Sequence, residues 1–283
     1  MVSTETSPPT PPAWDADLLR DPHAVADKRT RVQRMFAAIA PSYDLNNRLH
    51  SLWMDQRWRK KAVKLAHLSP TDTVVDVACG TGDLSFKFGE ALALANSERF
   101  DPQAFGAPVR VIGIDFTFEM LPIARRKSNY EMTSGLGLAL GDMSRAVRFV
   151  NGDAQSLPLP DACCDVVSIA FGIRNVADPA AAIAEFYRVL RPGGRLIVLE
   201  FSLPTNAALR GLYNFYFRKI LPRTATLISG DKTGAYKYLP ESVNTFIGRE
   251  QMAGTMQGAG FTKVEQFPLT FGVCVCYRGV KES

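Results

Sequence analysis

Short apolar runs alternate with segments of helical spacing along most of the chain after Thr73. Runs rich in β-branched and aromatic residues are typical of strands, whereas apolar residues three or four positions apart are typical of helices. Helices are predicted between the early strands at about 83–95, 117–130 and 179–190. The predicted strands cover 73–78, 109–115, 146–152, 164–171, 195–201, 262–268 and 272–278. This alternation predicts a parallel sheet covered by helices.

Only three residues, LTF at 269–271, join the last two predicted strands. A link this short cannot cross over a parallel sheet, so the last strand must run antiparallel to its neighbour. A mostly parallel seven-stranded sheet with an antiparallel last strand resembles the class I S-adenosylmethionine-dependent methyltransferase fold, which is a Rossmann-like α/β fold. The terminal hairpin argues against a nicotinamide dehydrogenase.

The segment before the first strand is predicted to add helices to this core. Residues 1–25 are rich in Pro, Ser and Thr and predict a disordered tail. Helices at about 28–40 and 45–67 then predict an N-terminal helical cap over 26–70. The remainder, 71–283, is the predicted methyltransferase domain.

Three insertions lengthen the predicted domain. Those at about 96–108 and 130–145 are rich in Gly, Pro, Ser, Met and charge, and predict surface loops. The third, about 203–248, contains the amphipathic stretch 208–222. We interpret this third insertion as a lid that receives an apolar substrate, with a simple core-covering helix as the alternative.

The composition is that of an ordinary globular protein. The 283 residues are 46% hydrophobic and 22% charged. No apolar run approaches the roughly 20 residues that a membrane-spanning helix needs. The five cysteines have no paired CxxC spacing, so we predict no metal, no disulfide scaffold and a cytoplasmic location.

The net charge of +5 is concentrated early, because many basic residues lie between positions 28 and 64. Such a face attracts anionic lipid headgroups or nucleic acid, or it is simply a solvated helix face. Binding of RNA would need basic residues interleaved with stacking aromatics. We therefore predict no nucleic acid partner and a transient association with the inner face of the membrane.

A glycine turn follows the first strand in the segment VVDVACGTGD, at Gly80 and Gly82. Ligands of open α/β sheets bind at this position, where glycine lets them approach the backbone. Ser85 stands where a pyrophosphate-binding turn would have its third glycine. Asp76 and Asp83 instead suit a ligand with ammonium and sulfonium groups, namely S-adenosylmethionine. A glycine turn with Asp83 as a helix cap is the alternative.

Acidic residues also end the next two predicted strands. Asp115 offers two acceptor oxygens to the vicinal hydroxyls of a ribose. Asp153 and the backbone of Ala154 reach the same edge of the sheet, where an adenine amino group could donate to the carboxylate. Three acids at three successive strand ends favour a nucleoside site.

The sequence resembles the ubiquinone/menaquinone biosynthesis C-methyltransferase family, of the demethylmenaquinone methyltransferase type, over about 32–279. The motifs YDLNN, FGIRNV and AYKYLPESV are the most restricted to that family. The resemblance implies that Thr81, Asp115, Asp153 and Ala154 bind S-adenosylmethionine. Some members have a serine that contacts the cofactor at the position of Ala170, so the resemblance assigns no cofactor contact to Ala170. Five stretches carry the resemblance, at 36–62, 74–88, 171–202, 235–246 and 260–279.

The implied reaction is methylation of a ring carbon of a prenylated quinol. We favour demethylmenaquinol, because QRWRKKA and YLPESV resemble menaquinone-branch members. The alternatives are 2-methoxy-6-polyprenyl-1,4-benzoquinol and a catalytically inactive scaffold of a quinone-synthesis complex. Asn46 stands where many members have methionine, and Asp55 where some have histidine, which leaves the choice of quinol open. The choice between a monomer and a homodimer also stays open.

Methylation of carbon needs a quinol oxygen that is deprotonated or polarised, so that electron density moves onto the neighbouring ring carbon. Arg174 follows the fourth strand, and our hypothesis is that it stabilises the quinolate while Asn175 orients the ring. A salt-bridged surface arginine beside a capping asparagine is the alternative. Tyr43, Tyr236 and Tyr238 are candidates to bind the substrate, although each could equally be a half-buried core residue.

Overall fold

Seven strands form one sheet at the centre of the protein. The computed structural model describes residues 12–97, 110–131 and 147–282. The strands are β1 (Val74–Val77), β2 (Val111–Asp115), β3 (Val147–Asn151), β4 (Cys164–Ala170), β5 (Leu190–Phe201), β6 (Thr262–Leu269) and β7 (Cys274–Val280). Their order across the sheet is β3-β2-β1-β4-β5-β7-β6.

The first five strands run parallel, and β7 pairs antiparallel with both β5 and β6. The predicted antiparallel last strand is therefore confirmed. Parallel pairing aligns Asp76 with Gly113 on one side and with Ser168 on the other. The carboxyl ends of β1, β2 and β4 consequently meet at one edge, and the parallel pairing of β2 with β3 adds the end of β3, which the nucleoside prediction requires.

Helices cover both faces of the sheet and extend beyond one end of it. Before the sheet lie α1 (Lys28–Ile39), α2 (Tyr43–Ser51) and α3 (Met54–Leu65). Between the strands lie α4 (Asp83–Ser97), α5 (Met120–Glu131), α6 (Pro179–Val189) and α10 (Arg249–Gly258). After β5 come α7 (Ala207–Phe215), a π-helical turn (Tyr216–Ile220), α8 (Leu221–Ser229) and α9 (Ala235–Asn244).

The single helix predicted over 45–67 is wrong, because the chain breaks it into α2 and α3. Leu52 and Trp53 adopt left-handed backbone conformations, with φ of 51° and 60°. Two successive left-handed residues cannot continue a right-handed helix. Their side chains are 78% and 56% exposed, so the apolar stripe used for the prediction does not face the core at this point.

The N-terminal helices and the insertion after β5 share one apolar core. Trp14 stacks on Tyr238 with ring centroids 4.5 Å apart, and Met35 belongs to the same cluster as Tyr213 and Phe217. From residue 12 onward, the segment predicted as tail therefore packs on the protein. The two insertions predicted as loops fall almost entirely outside the described residues.

No helix in the described ranges is both long and apolar enough to cross a bilayer.

Candidate active site

A cleft of about 770 Å³ lies at the carboxyl ends of β1, β2 and β4. Gly80, Asp115, Asp153 and Ala154, four of the residues predicted to bind the cofactor, line its wall. Asp76, Thr81 and Gly82 lie outside this lining. The cleft thus brings together the turn after β1 and the acids after β2 and β3.

Asp115 lines the cleft and is 8% exposed. Its Oδ2 accepts the N–H of Gly80 and its Oδ1 accepts the N–H of Thr117, both at 2.7 Å. Each carboxylate oxygen has two acceptor positions, so each retains one for a further donor. A pair of neighbouring hydroxyls matches these two remaining positions.

Asp76 lies beneath the cleft, where it organises the strands. Its two carboxylate oxygens accept the hydroxyls of Ser85 (2.6 Å) and Ser168 (2.7 Å). Burial raises the pKa of Asp76 to about 6, although the two serine hydroxyls oppose that shift. Ser85 stands where a pyrophosphate-binding turn would have its third glycine. Its hydroxyl instead forms a hydrogen bond with Asp76.

The glycine turn is shaped by packing as well as by backbone conformation. Gly82 has φ of 87°, and a Cβ there would lie 2.8 Å from the Phe149 ring. Thr81 donates its hydroxyl to Asp44 at 2.6 Å, and Lys127 bridges Asp44 and Asp83. This network ties α2 and α5 to the turn, so Thr81 and Gly82 help to hold the cleft in place.

Asp153 forms an ion pair with Arg29 of α1 at 2.7 Å. The guanidinium of Arg29 also lies 4.5 Å from the centroid of the Phe116 ring, which lines the same cleft. An adenine amino group donating to Asp153 would therefore share this carboxylate with Arg29. Ala154 lies next to Asp153 and is buried.

A second pocket, of about 1210 Å³, adjoins the cleft and shares Phe36, Tyr43 and Phe171 with it. Most of its other lining residues are aromatic or aliphatic and come from α1, α2, α3 and the segment from α7 to α9. Predicted site residues in its lining are Tyr43, Arg174, Tyr236 and Tyr238. The two cavities therefore meet across three aromatic side chains.

Arg174 is a buried residue of the second pocket, 4% exposed. Its Nη1 donates to Glu200 Oε1 at 2.6 Å and to the carbonyl of Phe171 at 2.8 Å. Burial raises the pKa of Glu200, and the Arg174 charge opposes that rise. The alternative of a surface salt bridge does not describe this arginine, since the pair is enclosed by protein.

Asn175 lines the cleft at the strand ends rather than the second pocket. Its amide nitrogen donates to the carbonyl of Phe171 at 3.1 Å, and its oxygen accepts the Tyr238 hydroxyl at 3.0 Å. The side chain is thus held between two partners. The Tyr238 hydroxyl donates to Asn175 and thereby positions the Asn175 side chain.

Three buried polar residues of the site were missed by the sequence analysis. Lys28 donates to the carbonyls of Arg174 (2.9 Å) and Val176 (2.7 Å), which ties α1 to the FGIRNV turn. Arg59 and Tyr213 line the second pocket. The sequence signal for Lys28 and Arg59 was a basic run, which gave no means of separating buried cations from solvated ones.

A sequence model of the ubiE/COQ5 methyltransferase family matches residues 24–281. The chain belongs to this family. Membership agrees with the fold, and it makes the protein a methyltransferase.

Similar proteins of the ubiE/COQ5 methyltransferase family have quinone-related names. The demethylmenaquinone methyltransferase of Thermus thermophilus is 45% identical over 245 residues, covering 87% of this chain and 99% of that protein. A protein of the same name in Deinococcus radiodurans is 41% identical, covering 90% and 94%. The ubiquinone/menaquinone biosynthesis C-methyltransferase UbiE of Geobacter sp. is 39% identical, covering 92% and 100%.

Among solved structures, a SAM-dependent methyltransferase of Thermotoga maritima superposes on the present chain with a TM-score of 0.51. Its sequence is 21% identical, and the match covers 89% of this chain and all of that one. The similarity supports the fold alone.

Binding of S-adenosylhomocysteine to this ubiE/COQ5 family member is expected to weaken as the pH falls below about 6. Burial raises the pKa of Asp115 to about 6. Ribose hydroxyls donate best to the ionised carboxylate, so protonation of Asp115 competes with the ligand, and binding near pH 6 releases protons. Calorimetric titration at about pH 5 and about pH 7.5 measures the effect. An affinity that stays constant across this range would show that Asp115 does not accept from the ligand.

Proposed function

We propose that this protein transfers the methyl group of S-adenosylmethionine to a ring carbon of demethylmenaquinol. The observation that carries the proposal is the pair of adjoining cavities, which meet at Phe36, Tyr43 and Phe171. One holds the carboxylates of Asp115 and Asp153 at the strand ends, and the other is lined mostly by aromatic and aliphatic side chains. A methyl donor and an apolar acceptor need adjoining binding sites, so that the ring carbon can reach the methyl group as its bond to sulfur breaks. The names of the relatives from Thermus thermophilus and Deinococcus radiodurans support demethylmenaquinol as the acceptor.

The cleft has the donors and acceptors that S-adenosylmethionine requires. Asp115 retains one acceptor position on each oxygen for the two ribose hydroxyls. Asp153 and Ala154 would hold the adenine, and the Gly80 turn would receive the remainder of the molecule. When bound, this compound supplies an electrophilic methyl group.

The residues of the second pocket activate and position the acceptor ring. A quinol becomes nucleophilic at carbon when one oxygen loses its proton, and a buried guanidinium stabilises that oxyanion strongly in a water-poor site. Arg174 occupies such a position between Glu200 and the pocket. Asn175, held by Tyr238, faces the cleft beside it and limits how the ring can approach.

The aromatic walls complete the reaction chamber. Phe171 and Phe201 pack with ring centroids 4.7 Å apart, and Tyr213 stacks on Phe217 at 4.1 Å. These rings exclude water from the developing charge, which strengthens each electrostatic contact. Positioning the ring carbon next to the methyl donor then supplies the rest of the rate enhancement.

Purified protein is expected to methylate demethylmenaquinol faster than 2-methoxy-6-polyprenyl-1,4-benzoquinol by about tenfold or more. Both quinols, with prenyl tails of equal length, are reduced and assayed with radiolabelled methyl donor. A preference for the benzoquinol would contradict the proposed substrate and indicate a role in ubiquinone synthesis instead. Absence of methylation with intact binding of S-adenosylhomocysteine would favour the inactive scaffold.

The entrance to the second pocket supports a transient contact with an anionic membrane. Leu52 lines the pocket and is 78% exposed, while Leu212 and Leu227 of the adjoining lid are 66% and 86% exposed. Lys219 and Arg223 lie between them along the chain and are also exposed. Exposed apolar side chains beside cations match the surface of an anionic bilayer.

Replacing Leu212 and Leu227 together with glutamate is expected to lower binding to anionic liposomes about fivefold or more, since each change removes apolar contact and adds repulsion. Flotation at low salt measures bound protein, and turnover of a short-tailed soluble quinol should persist. Leu94→Glu is the matched control, since Leu94 is 57% exposed on α4, which packs on α3 and the sheet. Equal flotation of all variants would contradict a lid that faces the membrane.

A further inference from the structure

Two buried arginines, rather than one, line the pocket proposed for the quinol. Arg174 and Arg59 are 4% and 6% exposed, and they come from separate parts of the chain. Arginine is rarely buried unless its charge is paired. Each of these has its own carboxylate, Glu200 for Arg174 and Asp55 for Arg59. The pocket therefore holds two nearly neutral ion pairs instead of one cation.

The ion pair of Asp55 and Arg59 in α3 is held by hydrogen bonds from residues close in sequence. These bonds position Arg59 before any ligand binds. Arg59 Nη1 lies 2.5 Å from Asp55 Oδ2. Asp55 also accepts the Ser51 hydroxyl at 2.7 Å and the Gln56 amide at 3.0 Å. Among the described residues, no second acceptor bonds the Arg59 guanidinium, which retains donors for a ligand.

Phe171 relates the two arginines to each other and to the cofactor cleft. The Arg59 guanidinium carbon lies 5.3 Å from the centroid of the Phe171 ring, while Arg174 donates to the Phe171 carbonyl. Phe171 also belongs to the wall shared by the two cavities. A ring placed against this wall therefore has a guanidinium group near it in two places.

A 1,4-quinol has two oxygens, at opposite corners of the ring. The oxygen next to the reacting carbon must carry the negative charge, because only from there does its lone pair reach that carbon. The opposite oxygen is meta to the reacting carbon and cannot activate it. A donor to that second oxygen would therefore orient the ring without taking part in the electron flow.

We propose that Arg59, held by Asp55, binds the second oxygen of the quinol ring, so that the enzyme selects aromatic rings with two para oxygens. This inference rests on the proposed function, and it assigns the oxygen next to the reacting carbon to Arg174. It makes Arg59 a specificity-determining residue. The same pocket should accept a monohydroxy ring poorly, because the Arg59 donors would then lose their partner.

The test compares two substrates in two proteins. The substrates are demethylmenaquinol and the corresponding prenylated 1-naphthol that lacks only the hydroxyl opposite the activating one. The proteins are the native chain and the double variant Asp55→Asn/Arg59→Gln, which removes both charges of the pair together and leaves no unpaired buried ion. Each kcat/KM is measured with saturating methyl donor, and binding of S-adenosylhomocysteine is measured in parallel.

The native protein is expected to prefer the quinol over the naphthol by about tenfold or more, and the double variant by less than about threefold. In the double variant, kcat/KM for the quinol should fall, while kcat/KM for the naphthol should stay nearly unchanged. Equal loss on both substrates would make Arg59 a structural residue and overturn the inference. Equal native rates on the two substrates would overturn it as well.

Arg59→Lys provides a second variant if the double one is poorly folded, since it keeps a cation beside Asp55. With fewer donors it should retain part of the preference, and a preference equal to that of the native chain would count against the guanidinium contact. Failure of the native protein to methylate either ring, despite binding S-adenosylhomocysteine, would remove the proposed function itself. The two failures are thus told apart by the native rates.

Discussion

Replacing Asp115 with asparagine is expected to weaken binding of S-adenosylhomocysteine about 100-fold, because two effects add. The amide nitrogen would face the N–H of Gly80 or of Thr117, both of which now donate to the carboxylate. The same nitrogen also removes the acceptor for one ribose hydroxyl. Calorimetric titration at about pH 7.5 measures the change, well above the pKa of about 6.

Asp165→Asn is the matched control for that experiment. Asp165 also accepts a backbone N–H, that of Thr73 at 2.8 Å, but it lies at the opposite end of the strands. Its replacement should leave the affinity unchanged within about twofold. Equal weakening in both variants would indicate a general loss of fold. An unchanged affinity in Asp115→Asn would remove this residue from the cofactor site.

The double variant Arg174→Met/Glu200→Gln is expected to lower kcat on the quinol about 100-fold while changing the affinity for S-adenosylhomocysteine by less than about threefold. The oxyanion would lose the cation that stabilises it in a pocket with little water. Replacing both members of the pair avoids a buried glutamate without a partner, which would destabilise the protein. Single-turnover measurements with preformed quinol separate chemistry from product release.

Glu200→Gln alone is the control, since it keeps the guanidinium and a hydrogen-bond acceptor beside it. Its turnover should stay within about tenfold of the native value. If the double variant turned over as fast as this control, the quinolate would need no help from Arg174. Unfolding temperature, measured on all variants, shows whether a rate loss follows a loss of fold.

The parallel sheet with its antiparallel last strand, and the meeting of Gly80 and Asp115 at one edge of that sheet, could be predicted because local signals determine them. The three-residue link before β7 permits only an antiparallel return. The Gly80 turn and Asp115 follow buried strands, so parallel pairing alone brings them together. These features depend on residues close in sequence or on one rule of sheet topology.

The second pocket could not be predicted in the same way, because its residues come from segments far apart in the chain. Asp55 and Arg59 have the spacing of an ordinary surface ion pair on a helix. They are enclosed because α3 packs against α2, α4, β5 and β7, and because the insertion after β5 adds residues to the pocket that they line. The break at Leu52 was missed for a related reason, since an exposed apolar side chain looks like a core residue in sequence.

Phe171 is one of the three aromatic residues that line both cavities. Its backbone is left-handed, with φ of 57°, and its N–H donates to the Leu199 carbonyl at 2.7 Å. Its carbonyl accepts from both Arg174 and Asn175. Because these neighbours hold Phe171 in place, its ring is a fixed boundary between the proposed donor and acceptor positions, and its size limits how closely the two can approach.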